Sequence, residues 1–282
     1  MAIRSILVHL DHRASASDRV AFAAALALQH DAHLIGLAPT GWVNVPTDDM
    51  NNTVGVQEYM RATMKLLREQ ADGSVKHFKT QVEGLGVASY EARVEATDSA
   101  TAMARAARYC DLSIVTQSVP DEWVTTQSPQ MPQEVLLQSG RPVLVLPYAG
   151  RPVMKAAARM LVAWNGSREA ARALHDALPL LKLAAKVQVV AFEAPAELDR
   201  RHAELPDHDI GPWLARHGVK AEVARLATRI AVGETLLSHA ADIGADLIVA
   251  GGYGHSRLRE TLLGGVTRTL LSSSPVPVLF SH

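Results

Sequence analysis

Cysteine is nearly absent from this chain: Cys110 is the single thiol in 282 residues. That excludes an internal disulfide framework and any CxxC redox or metal centre. Cys110 stands just before an apolar run, so an inert buried thiol is expected rather than a nucleophile. Charge of either sign is missing in excess. Lys+Arg 28 against Asp+Glu 29 leaves a formal net charge of -1, which argues against a dedicated nucleic-acid binder or a polybasic membrane anchor. No apolar run reaches the length of a membrane span, and no signal-peptide core is visible near the N-terminus. The expected location is the cytoplasm, with no membrane partner.

Several chemical signatures are absent too. The 12 histidines form no HExxH and no Cys/His cluster with zinc spacing. His202, Asp207, His208 and Asp209 are close in sequence, but they sit in a polar connector with nothing to order them. There is no G-x-S-x-G elbow and no legible triad. No general base or nucleophile can be named, so the chain is expected not to be an enzyme.

What is present is a repeat. Hydrophobic residues at 48% and charged residues at 20% describe a globular chain long enough for one large or two ordinary domains. Ser5-Ile-Leu-Val-His-Leu-Asp11 matches Arg159-Met-Leu-Val-Ala-Trp-Asn165. Cys110–Val115 answers Ala245–Ala250, and Arg141–Leu146 answers Val276–Ser281, both at an offset of 135. The first pair is offset by 154, so the first copy carries an insertion, placed in Thr40–Gly55 and the helix after it. A period this long indicates duplicated domains rather than a solenoid of ~20–50-residue units. The boundary is placed near Tyr148–Pro152, giving domains 1–150 and 151–282.

Each copy alternates β-branched runs with helical periodicity, the pattern of βαβ units around a parallel sheet. The first copy predicts strands at 6–10, 33–38, 91–94, 112–116 and 143–146, and helices at 17–30, 56–83, 99–109 and 133–139. The second predicts strands at 160–164, 187–192, 221–226, 247–250 and 276–280, and helices at 168–183, 210–217, 232–243 and 265–272. Ser167 is a plausible N-cap, and Pro179 should distort the helix that follows it.

The most specific segment is Asp246-Leu-Ile-Val-Ala-Gly-Gly-Tyr-Gly-His-Ser-Arg-Leu-Arg-Glu-Thr-Leu-Leu-Gly-Gly-Val-Thr-Arg268. An apolar strand enters a glycine-dense loop, and a second glycine pair opens a helix. Such glycines let backbone N–H groups approach an anion, and the helix N-terminus adds partial positive charge. Neither common phosphate loop is present: G-x-x-x-x-G-K-[ST] is missing, and Arg257 stands where G-x-G-x-x-G needs its third glycine. The alternative is that these glycines only make tight turns.

The spacing G-x2-G-x9-G, from Gly251 through Gly254 to Gly264, resembles the nucleotide-binding signature of the universal stress protein (UspA) family. The chain departs from it at Gly265, where the family usually has Ser or Thr, and Thr267 lies two positions on. The resemblance implies two tandem Rossmann-like domains of the adenine-nucleotide alpha hydrolase type, each an open five-stranded parallel sheet with helices on both faces. It implies an internal pseudo-dimer through the last strands, with Val143–Leu146 facing Val276–Phe280, and a further homodimer is open. It also implies a nucleotide site in the second copy made by Ala163, Trp164, Asn165, Gly251, Gly252, Gly254, His255, Arg257, Gly264, Gly265, Val266 and Thr267. Asn165 stands where the family commonly has Asp; it either contacts the nucleoside or simply makes a turn with Gly166. Tyr253, Arg259 and Arg268 are neighbours with the chemistry to join.

At the 135 offset the first copy has Thr116, Val119, Pro129 and Gln130 in place of the four glycines. It keeps Asp11 at the end of its first strand, and its site is expected to be degenerate. The function implied is an ATP-binding regulatory protein of the stress response, its cofactor ATP or another adenine nucleotide, with or without Mg. The alternatives are a nucleotide-free scaffold with a decayed pocket, or a slow ATPase.

Overall fold

Strands and helices alternate from end to end, as the two repeating patterns require. The computed structural model describes residues 2–41, 53–119, 130–155, 158–193, 210–254 and 265–282. The strands are β1 (Ser5–His9), β2 (His33–Pro39), β3 (Tyr90–Glu95), β4 (Leu112–Thr116), β5 (Val143–Leu146), β6 (Arg159–Ala163), β7 (Lys186–Glu193), β8 (Ala221–Ala227), β9 (Leu247–Gly251) and β10 (Val278–Ser281). The helices are α1 (Ser15–His30), α2 (Thr53–Gly84), α3 (Ser99–Ala107), α4 (Met131–Ser139), α5 (Arg168–Asp176), α6 (Leu178–Leu181), α7 (Ile210–Arg216), α8 (Val232–Asp242) and α9 (Val266–Ser273).

Two compact units result, Ile3–Arg141 and Pro142–His282. The first holds four parallel strands in the order β3-β2-β1-β4. The second holds five parallel strands in the order β10-β9-β6-β7-β8. In both, the order reverses beside the first strand, as in doubly wound α/β folds. In the second unit β5 also hydrogen-bonds antiparallel to β10, with Val145 opposite Val278 and Val143 opposite Phe280, as the apposition of Val143–Leu146 and Val276–Phe280 leads one to expect. The pairing covers an apolar edge that would otherwise present unpaired N–H and C=O groups.

Strand cores are continuous apolar runs because parallel strands are covered on both faces. Ile6, Leu7 and Val8 are fully buried in the first unit, as are Leu161, Ile248, Val249 and Phe280 in the second. The repeat extends to polar staples. Asp111 Oδ2 accepts the Arg4 and Ser5 N–H groups at 2.8 and 3.0 Å, tying the start of β4 to the start of β1. Asp246, at the matching position, accepts the Arg159 N–H at 2.8 Å and ties β9 to β6 in the same way.

Local signals set the helix ends. Ser167 Oγ accepts the Ala170 N–H at 3.1 Å, capping α5 as expected. The helix expected over 168–183 is divided into α5 and α6, with Pro179 in the first turn of α6, because proline cannot donate the hydrogen bond that would continue α5. The insertion of the first copy is largely α2. Its residues Leu67, Ala71, Phe78 and Val82 are buried at helical spacing, and Phe78 meets Tyr90 of β3 edge-on at 6.1 Å.

Candidate functional site

Ligands of doubly wound sheets bind beyond the strand C-termini where the strand order reverses. In the second unit that point lies between β6 and β9, and a cavity of about 390 Å3 opens there. The end of β6 and its loop supply Ala163, Trp164 and Asn165; the end of β9 and its loop supply Ala250, Gly251 and Gly254. The start of α9 supplies Gly265, Val266 and Thr267. Eight of the expected site residues are thus brought to one cavity by three separate parts of the chain.

Gly252 is turned away from it. Its N–H donates to Ser281 O at 2.8 Å, and its carbonyl lies 2.9 Å from His282 Nδ1, so it is tied to β10. His255, Arg257, Arg259 and Gly264 lie outside the described residues, as do Pro129 and the His202–Asp209 cluster. Arg268 is exposed on α9 and does not line the cavity.

The rest of the wall is apolar: Val190 and Phe192 from β7, Val232 and Leu236 from α8. These four were not foreseen. They read in sequence as ordinary core positions, and only the packing of α8 over the end of β7 leaves them facing a void. The cavity is within the ~300–1,000 Å3 of small-molecule sites, with apolar walls and a few polar groups at one end. That polar end is made by Asn165 and by the N–H groups of Gly254, Gly265 and Val266, which no described residue engages. Gly265 is the N-cap of α9 and offers no side-chain cap, so the first amides of α9 are left uncapped at the positive helix end, which borders the cavity. A flat heterocycle against the apolar wall and an anion against these amides fit the surfaces.

The loop geometry gives individual residues distinct duties. A Cβ on Gly251 would lie 2.6 Å from Ala170 N and 2.6 Å from Glu169 C; this glycine makes room for the first turn of α5. A Cβ on Gly254 would lie 2.8 Å from Glu169 Oε2. Tyr253 adopts a left-handed φ of 53°, and its N–H donates to Thr267 Oγ1 at 3.1 Å. The hydroxyl displaced by Gly265 therefore pins the loop to α9. Asn165 Oδ1 accepts the Ser167 N–H at 3.1 Å, with Gly166 at φ 74°, so Asn165 makes the turn into α5 while still lining the cavity.

Glu169 is a further residue sequence reasoning missed. Its side chain is 3% exposed, with Oε1 paired to Arg168 Nε and Oε2 without a hydrogen-bond partner. Burial pushes its carboxyl up, but the hydrogen bond from Arg168, the backbone N–H and the charge of Arg168 outweigh this and hold it below the ordinary carboxylate range. The only sequence signal was an acid in the first turn of a helix, which is common for reasons of helix stability alone.

The corresponding place in the first unit is filled. Arg19 of α1 is fully buried. Its Nε donates to His9 O at 2.7 Å, Nη1 to Thr116 Oγ1 at 2.6 Å, and Nη2 lies 2.9 Å from Asp11 Oδ1. Asp11, the one retained site residue, is thereby engaged internally. Among the described residues a space of about 20 Å3 lies beyond β1 and β2, walled by Leu67, Gln70, Ala71 and Ser74 of α2. A cleft of about 420 Å3 lies between α1 and α2, and Leu10, Asp11, His12 and Arg13 after β1 line its floor. His9 beside this network has both ring nitrogens without a hydrogen bond, and burial drives its pKa down to about 4.

Cys110 is buried, and burial pushes its thiol up to about 11, leaving it protonated and unreactive. Among the described residues no three His, Cys, Asp or Glu side chains converge to hold a metal ion. No described helix is long and apolar enough to cross a membrane.

Comparison with known proteins agrees with the fold. Residues 157–282 match the model of the universal stress protein family. A universal stress protein from Archaeoglobus fulgidus DSM 4304 superposes with a TM-score of 0.71 at 16% identity, over 98% of this chain and 95% of that one. A protein of unknown function from Pseudomonas aeruginosa PAO1 gives 0.59 at 19% identity, over 99% of this chain and 92% of that one. A universal stress protein in complex with cAMP matches 53% of this chain and 100% of its own at 17% identity, with a TM-score of 0.37. No curated protein matches the chain. Residues 157–282 are thus similar to the universal stress protein family, and the fold of the A. fulgidus protein extends over both halves.

Proposed function

We propose that this universal stress protein domain binds an adenine nucleotide in the 390 Å3 cavity and acts as a regulatory module, with the first unit as its structural companion. The observation that carries the reading is the cavity's polarity. Apolar walls from β7 and α8 receive the base, and the unengaged amides of Gly254, Gly265 and Val266 receive phosphate. A partner would sense whether the cavity is occupied. In this reading the module is a binder and not a catalyst. The nucleotide is ATP or a close relative, alone or with Mg.

Native mass spectrometry of freshly purified protein, followed by titration calorimetry with ATP, ADP and AMP, tests this. The expected result is a co-purified or titratable adenine nucleotide at one site per chain, with ATP hydrolysis at background. Turnover well above background, lost on substitution around Gly251–Gly265, would overturn the non-catalytic reading. A second reading, a nucleotide-free scaffold, draws on the internal use of the Gly252 and Tyr253 N–H groups. Absence of any bound nucleotide, with none titrating at millimolar concentration, would establish it instead.

A further inference from the structure

We infer that the first unit carries a ligand site of its own. The cleft of about 420 Å3 between α1 and α2 takes a small organic acid, with an apolar body and one carboxylate or phosphate head that Arg13 helps to hold. The site is separate from the nucleotide cavity, which belongs to the second unit.

The cleft has the volume of small-molecule sites, and every residue that lines it is among the described ones. Its floor is closed. Leu10 Cδ1 and the Phe78 ring meet over Gly36 of β2, where a Cβ would lie 2.9 Å from the first and 3.0 Å from the second. With Val20 of α1 they supply the apolar part of the lining. Nitrogen donors join it from two directions, Arg13 and His12 from the loop after β1 and His77 from α2. Asp11 lines the cleft too, but its Oδ1 lies 2.9 Å from Arg19 Nη2 and both side chains are nearly fully buried, so its charge is matched inside the fold. The cleft also meets the start of α1, where the N-cap Ala14 provides no side-chain hydrogen bond, and the helix end adds partial positive charge. Apolar floor and cationic surround fit an organic acid.

Gly73 distinguishes the cleft from an ordinary gap between helices. It lies inside α2 and lines the cleft. Glycine destabilises a helix interior relative to alanine, and no packing requires it here, because a Cβ would meet nothing within 4 Å. What the missing side chain does is keep the cleft open. The wall around it also belongs to this copy alone among the described residues. Val87 N–H to Val82 O and Val219 N–H to Leu214 O close the two corresponding helices alike, which sets Phe78 against Ile210, the first residue of α7. Residues 70–77 therefore precede anything α7 supplies.

The test is ligand-observed NMR titration of the full chain with 3-phenylpropionate, phenyl phosphate and the neutral 3-phenylpropanol. The acids are expected to bind with Kd on the order of 0.1–1 mM, as ligands of this size do, and the alcohol about tenfold more weakly. Comparing the two acids shows which head the cleft prefers. Gly73→Phe fills the cleft from a position with open space and should weaken both acids by about tenfold or more. Arg13→Gln should weaken the acids by a similar factor and leave the alcohol unchanged; it serves equally if Gly73→Phe fails to fold. Acids that bind wild type and Gly73→Phe alike, an acid–alcohol gap that Arg13→Gln leaves intact, or no detectable binding of either acid would each overturn the inference. None of these results bears on nucleotide binding in the second unit.

Discussion

Gly251 and Gly254 belong to one motif, yet the structure assigns them different costs. A Cβ on Gly251 would sit 2.6 Å from Ala170 N and from Glu169 C and 3.0 Å from Glu169 Cβ. The first two are backbone atoms of α5, held by the Ser167 cap and by the buried Ala170, Ala173 and Leu174, so they cannot swing aside as a side chain would. Relieving the overlap means displacing the first turn of α5 or the end of β9 by close to an ångström. Overpacking of that kind costs about 1–3 kcal/mol, and Gly251→Ala belongs at the upper end. For a unit of this size that lowers Tm by roughly 3–10 °C. The Gly254 Cβ meets side-chain ends instead, Glu169 Oε2 at 2.8 Å and Ser167 Oγ at 3.2 Å, and these can rotate. Gly254→Ala should cost less than about 1 kcal/mol. Differential scanning calorimetry of both variants measures the difference. Equal melting of Gly251→Ala and wild type would refute the packing argument and return Gly251 to a purely ligand-facing role.

The first unit offers two further tests. Arg19→Met removes the guanidinium that Asp11, Thr116 and the His9 carbonyl share, and breaking a buried pair costs about 3–5 kcal/mol. Urea unfolding should show that loss, with partial recovery in Arg19→Met/Asp11→Asn, and a loss under about 1 kcal/mol would contradict the network. His9 has a pKa lowered to about 4 from 6.5 by burial, so the unfolded chain takes up its proton first. Stability is full above pH 6.5 and falls by up to about 3 kcal/mol as pH drops to 4. The difference in pH profile between wild type and His9→Leu isolates this contribution, and parallel profiles would refute it.

Much of the fold was legible because its signals are local. β-Branched runs, helical stripes, the Ser167 cap and the Pro179 break each act within a few residues of their own position. The repeat was legible because the staples at Asp111 and Asp246 recur at one offset. Less of the site was legible. The glycine spacing marked the ends of β9 and α9, and the matching first-strand loop marked Asn165. Val190, Phe192, Val232 and Leu236 were invisible, since an apolar residue facing a void looks the same in sequence as one facing a neighbour.

The amino-acid sequence by itself therefore determined the duplicated α/β pattern, the strand ends where a ligand would gather and the loss of glycines from the first copy. The tertiary structure alone decided what fills the first copy's place, since Arg19 meets Thr116 from 97 residues away. It also decided that Gly251 serves α5 and that the carboxylate of Glu169 lies against Gly254. Periodicity and turn chemistry are properties of neighbouring residues. Volume, burial and charge are properties of whatever the folded chain brings together, and those set what the cavity can hold.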